Sequence, residues 1–314
     1  SHTTPKTLLL LDSHAIIHRA YHAVPNLQNS KGEPTGALFG IINMLFGILE
    51  RFNPDAVIAC YDLPHPTFRN EIYDAFNAHR NKGDAAVTAQ IISSRKIFEA
   101  LCIPMYDVAG FEADDILGTI VEHVKKEHPN YRVIIASGDM DTMQLIHDDQ
   151  VVVYTLKKGI TETITYNEKA VLAKYGLTPT QLIDYKGLRG DTSDNIIGVP
   201  GVGEKTATSI IKEFGSIESM YEYLEEQKEF SKQNARLKSA GITERFFNLL
   251  LKHKDDAIFS KALATIRTDA PIDIQFEKIK PWYECVNHQM INEFIEQYEL
   301  RSIRGKLDKV IDIQ

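Results

Sequence analysis

The stretch Thr7-Leu-Leu-Leu-Leu11, with Asp12 directly after it, decides the fold of this chain. A short, uninterrupted apolar run that stops at a charged residue is typical of a β-strand buried on both faces. Such strands occur in parallel sheets that helices cover on both sides. We therefore predict that residues 7–11 form a buried strand that ends at Asp12.

Other apolar runs have the same form. Residues 55–60 (DAVIAC) end just before Asp62, residues 132–136 (RVIIA) end shortly before Asp139, and residues 151–154 (VVVY) form a short fourth run. Strands that alternate with helices indicate a mostly parallel sheet, in which ligands bind outside the carboxyl ends of the strands. Aspartates at three strand ends are therefore the first functional signal.

Helical patterns separate the strands and dominate the second half. Residues 36–51 have apolar side chains along one helical face, and 113–126 and 168–175 are also predicted to be helical. Residues 63–100 are a long excursion rich in basic and aromatic groups. From about Leu177 the pattern is one of short helices and tight turns, so we expect a helical second half.

Acidic residues gather at these strand ends and in three short clusters along the chain. Carboxylate oxygens suit Mg²⁺ or Mn²⁺, and many carboxylates in one cleft repel each other unless cations lie between them. Two such ions about 3.5–4 Å apart are the usual device for in-line attack on a phosphodiester. The alternative is that these acids cap helices or lie on the solvated surface. The candidates are Asp12, Asp62, Glu112, Asp114, Asp115, Asp139, Asp141, Asp191 and Asp194.

The charge balance at first argues against a nucleic-acid partner, because the formal net charge is −8. Nine of the 43 acidic residues are metal-binding candidates, and the other 34 face 35 Lys and Arg. Bound cations would offset the cluster, so basic patches elsewhere can contact DNA. The three cysteines form no metal or disulfide pattern, and no apolar run reaches the roughly 20 residues of a membrane span. We expect a cytoplasmic protein without a membrane partner.

A glycine-rich turn, Gly198-Val-Pro-Gly-Val-Gly-Glu-Lys-Thr-Ala207, lies between two short helical segments. It is similar to a Walker phosphate loop, but Glu204 intrudes before the lysine and no strand precedes the turn. A helix–hairpin–helix fits better, because glycines let the backbone approach a phosphate and the start of the next helix attracts anions. The alternative is a plain tight turn. The predicted DNA-binding residues are Gly198, Val199, Gly201, Val202, Gly203, Lys205, Thr206 and Lys212.

Three motifs carry a resemblance to a known family: FEADD at 111–115, SGDMD at 137–141 and GDTSDNIIGVPGVGEKTA at 190–207. They closely resemble the 5′-nuclease domains of the flap endonuclease family, which includes the front of bacterial DNA polymerase I. The similarity covers roughly residues 7–304. It implies a PIN-like α/β core with a mostly parallel sheet and a helical arch, followed by a helical helix–hairpin–helix region.

The resemblance also implies an activity and its partners. It implies a nuclease core at 1–185, with an arch at about 63–100, and a DNA-binding helical region at 186–314. The implied reaction is hydrolysis of DNA at 5′ flaps, 5′ overhangs or nicks in replication and repair. We expect a monomer that works alone or with a DNA polymerase region or protein. The implied cofactors are two Mg²⁺ or Mn²⁺, and a K⁺ held near Val199 to Gly203.

The acids divide into two groups when they are matched to the family motifs. The resemblance assigns to the first metal Asp12, Asp62, Glu112 and Asp114, with Asp115 close by, and to the second metal Asp139, Asp141, Asp191 and Asp194.

Two departures from the family bear on activity. Asn77 stands where the family has an arch lysine near the scissile phosphate, and Met140 stands where it has a lysine between two aspartates. Losing one such cation can cost a few kcal/mol of transition-state stabilisation. We predict that Arg80, Lys82 and Arg69 are the catalytic residues that supply positive charge instead. The alternatives are a DNA-structure-binding homologue with weakened or lost cleavage, and an RNA-cutting nuclease of the PIN type.

Other side chains keep two interpretations each. Arg19 either contacts a DNA phosphate or forms a structural salt bridge, and His14 is expected near the metals or the DNA. Tyr73 and Phe76 either stack on frayed bases or pack inside the arch.

Overall fold

A six-stranded sheet forms the centre of the first half of the molecule. The computed structural model describes residues 4–24, 26–76, 85–158 and 162–312, without the side chains of 156–158. The strand order is β3-β2-β1-β4-β5-β6, and all pairs are parallel except β5 with β6. The strands are β1 (Lys6–Asp12), β2 (Ala56–Cys60), β3 (Met105–Tyr106), β4 (Tyr131–Ala136), β5 (Val151–Lys158) and β6 (Glu162–Tyr166).

Strand β1 lies at the centre of the sheet, and its leucines point alternately to the two faces. Leu9 and Leu11 belong to one hydrophobic cluster, whereas Leu8 and Leu10 belong to another. All four are at most 2% exposed. This period of two places a core on each side of the sheet, which explains why the strand is uniformly apolar.

Helices cover both faces of the sheet and make up the second half. The helices are α1 (Ser13–Ala23), α2 (Gly36–Phe52), α3 (Phe68–Ile72), α4 (Ala85–Ala100), α5 (Ala113–Glu127), α6 (Glu168–Tyr175), α7 (Gln181–Arg189), α8 (Glu204–Phe214), α9 (Ile217–Glu226), α10 (Ala235–Ser239), α11 (Glu244–Lys252), α12 (Lys254–Ala264), α13 (His288–Tyr298) and α14 (Arg301–Asp312). Helices α1, α2 and α4 pack on one face, and α5 packs on the other.

The order in which strands are added to the sheet reverses at β1. The chain builds β2 and β3 on one side of β1 and then returns to build β4 and β5 on the other. The carboxyl ends of β1 and β4 therefore flank a topological switch point, which is where open α/β sheets bind ligands. The predicted α/β fold with a mostly parallel sheet is confirmed.

The second half forms its own hydrophobic cluster, which runs from Leu177 to Ala257 and includes both buried valines of the glycine turn. After Tyr166 the described residues form no further strand, as predicted. Helices α13 and α14 return to the first core, where Phe294 and Leu307 are buried. The predicted region 186–314 thus contributes to two cores.

Trp282 lies in the first core with only 1% of its surface exposed. Its ring meets Tyr283 edge-on at 5.8 Å between centroids. Its indole Nε1 has no hydrogen-bond partner among the described residues. The side chain therefore serves packing, at the point where the chain returns to the first core before α13.

Two strands were absent from the sequence prediction. β3 has only two residues, and β6 (ETITY) is an antiparallel edge strand with polar side chains. The strand predicted at 151–154 continues to Lys158 because β6 pairs with it. Among the helices of the described residues, none combines the length and apolar character needed to cross a membrane.

Candidate active site

Three neighbouring strands deliver aspartates to one edge of the sheet. Asp12 ends β1, Asp62 follows β2, and Asp139 follows β4. β1 pairs directly with both other strands. The carboxyl ends of parallel neighbours meet at the same edge, so the side chains converge as the sequence suggested.

The carboxylates of five acids form two overlapping groups at this edge. Asp114, Asp139 and Asp141 each offer an oxygen within 4.8 Å of the others, and so do Asp141, Asp191 and Asp194. Asp141 belongs to both groups. This geometry brings together residues from α5, from the loop after β4 and from the loop after α7, and hard oxygen donors in this number fit a divalent cation such as Mg²⁺.

Several acids also cap helical turns, so both sequence interpretations apply to them. Asp12 Oδ1 accepts the Ala15 N–H at 3.4 Å while its Oδ2 accepts from Ser137 Oγ at 2.8 Å. Asp139 Oδ1 accepts the Asp141 N–H at 2.9 Å. These bonds fix the direction of each carboxylate, because a cap constrains one oxygen and thereby orients the other.

Like charges and burial give these acids unusual proton affinities. Burial is the largest cause that raises the pKa of Asp12 from 3.8 to about 7, and repulsion by Asp139 and Asp62 adds to it. Burial likewise raises the pKa of Asp114 well above its usual value, with repulsion by Asp12 and Asp139 next. A cation between these carboxylates would favour their ionised forms.

Arg69 is buried, with 3% of its surface exposed, and all five of its N–H groups have acceptors. Nε donates to the Leu263 carbonyl at 2.9 Å and Nη2 to the Thr265 carbonyl at 2.7 Å. Nη1 and Nη2 grip Asp115 at 2.8 and 2.9 Å, and Nη1 also bonds Glu112. No N–H remains for a phosphate, so the geometry favours a positioning role over the predicted catalytic one.

Asp115 is fully buried and lies apart from the two groups of converging carboxylates. Besides the grip of Arg69, its Oδ2 accepts the Glu112 N–H at 3.0 Å and its Oδ1 accepts the Arg267 N–H at 2.9 Å. Its oxygens are thus occupied by the protein. Asp115 orients the start of α5, from which Asp114 projects.

Asp62 and His14 form the other side of the site. Asp62 Oδ1 accepts the Ala113 N–H at 2.6 Å, and the Asp62 N–H donates to His14 Nδ1 at 3.1 Å. His14 therefore carries its proton on Nε2 when neutral. Burial, followed by the effect of Arg95, lowers the pKa of His14 against the opposing pull of Asp62, which favours that neutral form.

Lys186 is a functional candidate that the sequence analysis missed. Its Nζ contacts Asp141 and lies 3.0 Å from Asp191 Oδ2, within the second group of acids. Although burial alone would raise the pKa of Asp191, Lys186 and Ser193 lower it. The only sequence signal was a cation one helical turn before the Gly190–Asn195 motif.

The residues predicted in the arch fall into two groups: three lie outside the described residues, and two aromatic side chains are packed inside the protein. Asn77, Arg80 and Lys82 lie outside the described residues. Phe76 is 4% exposed and clusters with Leu263 and Ile196, so it packs in the core. Tyr73 packs edge-on against Phe259.

Met140 is half-buried, and its side chain packs against the hydrophobic cluster beneath α5. It therefore contributes to the core and supplies no positive charge to the site.

The glycine turn has the geometry of a tight hairpin. Gly198 and Gly201 have φ of +66° and +88°, a region that L side chains rarely adopt. Val199 and Val202 are buried anchors, linked by a 3.0 Å hydrogen bond from the Val202 N–H to the Val199 carbonyl. Gly203 caps the start of α8.

The predicted phosphate contacts occupy different places. Lys205 is exposed in the first turn of α8, with Thr206 half-buried beside it, whereas Lys212 lies in its last turn against Gly176. Arg19 lies on α1, with its Cβ next to Gly138 in the loop that leads to Asp139. The hairpin and the acids are thus bordered by separate cations.

Family comparison divides the chain into two matched segments. Residues 7–176 match the model of the 5′-3′ exonuclease N-terminal resolvase-like domain, and residues 177–284 match that of the 5′-3′ exonuclease C-terminal SAM fold.

The chain is similar to DNA polymerases I of several bacteria. It is 35% identical over 303 residues to that of Bacillus caldotenax, covering 96% of this chain and 32% of the polymerase. It is 38% identical over 305 residues to that of Mycobacterium tuberculosis, covering 96% of this chain and 31% of the polymerase. The chain thus spans about a third of the length of these relatives.

Solved structures share the fold at lower identity. T5 5′-exonuclease with bound zinc superposes with a TM-score of 0.64 at 19% identity, covering 97% of this chain and all of that one. The catalytic core of Rad2 in complex with DNA superposes with a TM-score of 0.61 at 15% identity, covering 98% and 92%. With two family segments matched over most of its length, the chain belongs to the 5′-3′ exonuclease family.

Proposed function

We propose that this chain is a divalent-metal-dependent, structure-specific 5′-nuclease that hydrolyses DNA at 5′ flaps, 5′ overhangs or nicks. The observation that carries the proposal is the convergence of acids into two groups that share Asp141. Residues far apart in the sequence meet at the switch point of the sheet, which a set of unrelated surface caps would not do. Metal ions in the similarly folded T5 5′-exonuclease agree with it.

The two groups would hold two Mg²⁺ or Mn²⁺. Two such ions would stabilise the charge that develops on the attacking and leaving oxygens of the phosphodiester. Asp114, Asp139 and Asp141 would serve one ion, and Asp141, Asp191 and Asp194 the other. The sequence assignment differs from these groups, because it adds Asp12, Asp62 and Glu112 to the first ion and gives Asp139 to the second. Lys186 neutralises part of the second group, and Asp115 with Arg69 orients the first.

The hairpin at 198–207 would bind the duplex part of the substrate. The exposed Gly201 and Gly203 and the amides that open α8 can approach a phosphate, and Lys205 adds charge without reading sequence. Carbonyls between Val199 and Gly203 are the proposed K⁺ ligands. Arg19, which lies beside the loop that leads to Asp139, is a further proposed phosphate contact, and Arg80 and Lys82 remain proposed arch cations.

We also propose that the chain is divided into two functional regions. The nuclease core would comprise residues 1–185, and the hairpin region would begin at residue 186. A separate hydrophobic cluster in the second half supports this division. A DNA polymerase region or protein as partner is proposed from the two relatives described above, both of which are named DNA polymerase I.

A labelled 5′-flap substrate tests the proposal. The protein with Mg²⁺ should release a product, while Asp139→Asn or Asp114→Asn should lower the rate at least about 100-fold and leave DNA binding nearly unchanged. Asp308→Asn, on the exposed side of α14, is the matched control. Cleavage by the two variants at the normal rate would refute the metal assignment.

A second candidate is a DNA-structure-binding homologue with weakened or lost cleavage. The replacement of two family lysines by Asn77 and Met140 favours it, and binding without any product, even in Mn²⁺, would support it. An RNA flap in the same assay tests the RNA-cutting alternative.

A further inference from the structure

Residues 263–270, here called the linking segment, join the hairpin half of the molecule to the start of α5. Its carbonyls at Leu263 and Thr265 accept from Arg69, and its Arg267 N–H donates to Asp115. Arg69, Asp115 and Leu263 are buried, and Thr265 and Arg267 are half-buried. The segment is thus held by the same arginine that orients Glu112 and Asp115.

Two more side chains of the nuclease half bind the linking segment. Gln144, which lies in the turn that follows Asp139, donates to the Ala264 carbonyl at 3.0 Å and accepts the Ile266 N–H at 2.9 Å. Thr119 Oγ1 on α5 accepts the Ala270 N–H at 3.0 Å. The segment therefore contacts both elements that carry metal-binding candidates.

The contact with α5 is close enough to require a glycine. A Cβ added at Gly118 would lie 2.6 Å from Ile266 Cγ2 and 2.8 Å from the Arg267 carbonyl oxygen. The linking segment therefore lies directly on the helix, without room for an intervening side chain.

At its other end, the linking segment continues from α12, which holds the hairpin. Ser260 on α12 is 1% exposed, and its Oγ accepts the Gly198 N–H at 2.8 Å. Only two residues separate Ser260 from Leu263. A continuous path thus runs from the hairpin through α12 and Arg69 to the acids of α5.

We propose that Arg69 is a positioning residue that holds the hairpin in register with the metal-binding acids and so determines where the DNA is cut. This inference rests on the proposed function. The hairpin is proposed to bind the DNA backbone without reading sequence, so the spacing between the hairpin and the acids contributes to the selection of the scissile phosphate. Phosphates of one strand are about 3.4 Å apart along the duplex, so a shift of that size changes the cut by one nucleotide.

Only an arginine can make this set of contacts. Its planar fork reaches two carboxylates and two carbonyls at once, whereas lysine keeps the charge but has a single ammonium group. Arg69→Lys is therefore the informative variant, and Arg132→Lys, at the amino end of β4 and far from the acids, is the matched control.

Hydrogen exchange of the whole protein, without metal or DNA, gives the first readout. In Arg69→Lys, amides of the linking segment should exchange roughly tenfold faster or more, while those of β1 and of α8 keep their rates. Unchanged exchange in the segment would overturn the proposal. Should Arg69→Lys not fold, Asp115→Asn weakens the same ion pair and is measured in the same way.

Cleavage of a 5′ flap gives the second readout. Arg69→Lys should spread the products over neighbouring positions and lower kcat, with KM for DNA within about twofold of normal because the hairpin is intact. A lower kcat with a single unshifted cut would contradict a role in register. If the unaltered protein does not cut the flap, the proposed function fails, and the exchange rates alone decide whether Arg69 holds the segment.

Discussion

Asp12 shows how one residue can satisfy a local rule and a functional one together. It caps α1, as an aspartate before a helix should, and it is also a buried member of a cluster of like charges. The cap bond and the Ser137 hydroxyl hold the carboxylate in place in spite of repulsion by Asp139 and Asp62. A stabilising cap thus keeps an unfavourable charge where chemistry needs it.

Replacing Asp12 by Asn should stabilise the metal-free protein at high pH. The pKa of Asp12 is about 7 in the fold and 3.8 when unperturbed, so the fold retains a proton that the unfolded chain loses. The unfolding free energy therefore falls as pH rises from about 4 to about 7. In EDTA at pH 8, Asp12→Asn should melt a few degrees higher than the unaltered protein, and this gain should vanish near pH 4.

Melting curves over this pH range, with Asp308→Asn as the control, check the prediction. Added Mg²⁺ should reduce or reverse the difference, because the unaltered protein, with one more carboxylate at the site, should gain more stability from binding the ion. A pH-independent difference between the two proteins would show that the charge of Asp12 is not the cause.

At the scale of single residues, the sequence predicted which acids lie at the site, but it did not predict the contacts that determine the roles of Arg69, Asp115 and Lys186. The acids were predictable because their positions after strands require them to meet. The role of Arg69 depends on the carbonyls of residues 263 and 265, which lie 194 and 196 positions away. That of Asp115 depends on Arg69 and on the Arg267 N–H, 152 positions away, and no local pattern reveals either. Lys186 is a lysine in a helix, and only the fold shows that it points at two acids.

The hairpin shows how an element depends on backbone conformation. Gly198 has φ +66°, and a Cβ there would lie 2.4 Å from the Gly190 nitrogen. Gly203 has φ −90°, and a Cβ there would meet nothing within 4 Å. Gly198 is therefore required by both its positive φ and the lack of space for a Cβ, whereas neither constraint applies to Gly203.

Gly198→Ala should therefore cost about 1–3 kcal/mol of stability and weaken DNA binding, whereas Gly203→Ala, at the N-cap of α8, should cost less than about 1 kcal/mol. Thermal melts together with fluorescence anisotropy on a labelled flap DNA measure both effects. Equal loss of stability in the two variants would mean that the turn has a different backbone conformation.

Elements with a strong hydrophobic periodicity could be predicted from the sequence, and elements with a weak periodicity could not. The apolar run of β1 and the helical face of α2 give clear signals. By contrast, β3 is too short to show a pattern, and β6 lies at the edge of the sheet with only two apolar side chains, Ile164 and Tyr166. Its pairing depends on β5, which is a tertiary effect.

At the scale of the whole molecule, helices α13 and α14 pack back onto the first hydrophobic core. α13 and α14 pack with α2 and α4 on the first core, although they follow the helical half in sequence. Tyr298 on α13 also donates to Ser93 Oγ on α4 at 2.9 Å. No local pattern in the sequence predicted this return, because an amphipathic helix does not indicate which core it covers.

Phe294→Ala should destabilise the protein by about 3–5 kcal/mol, because this ring is 3% exposed in that core. Glu296→Ala, on the exposed face of α13, is the control. Chemical denaturation followed by circular dichroism measures the difference. A loss below 1 kcal/mol would mean that α13 does not contribute to the stability of the first core.

The buried Trp282 gives the molecule an intrinsic optical label. As the single tryptophan of the chain, it alone can be excited selectively by light near the red edge of the protein absorption band. Its emission should be blue-shifted while water is excluded and should move to the red only when the returning segment leaves the sheet. Unfolding of the hairpin half alone would leave this signal unchanged, so the two cores can be followed separately without any added dye.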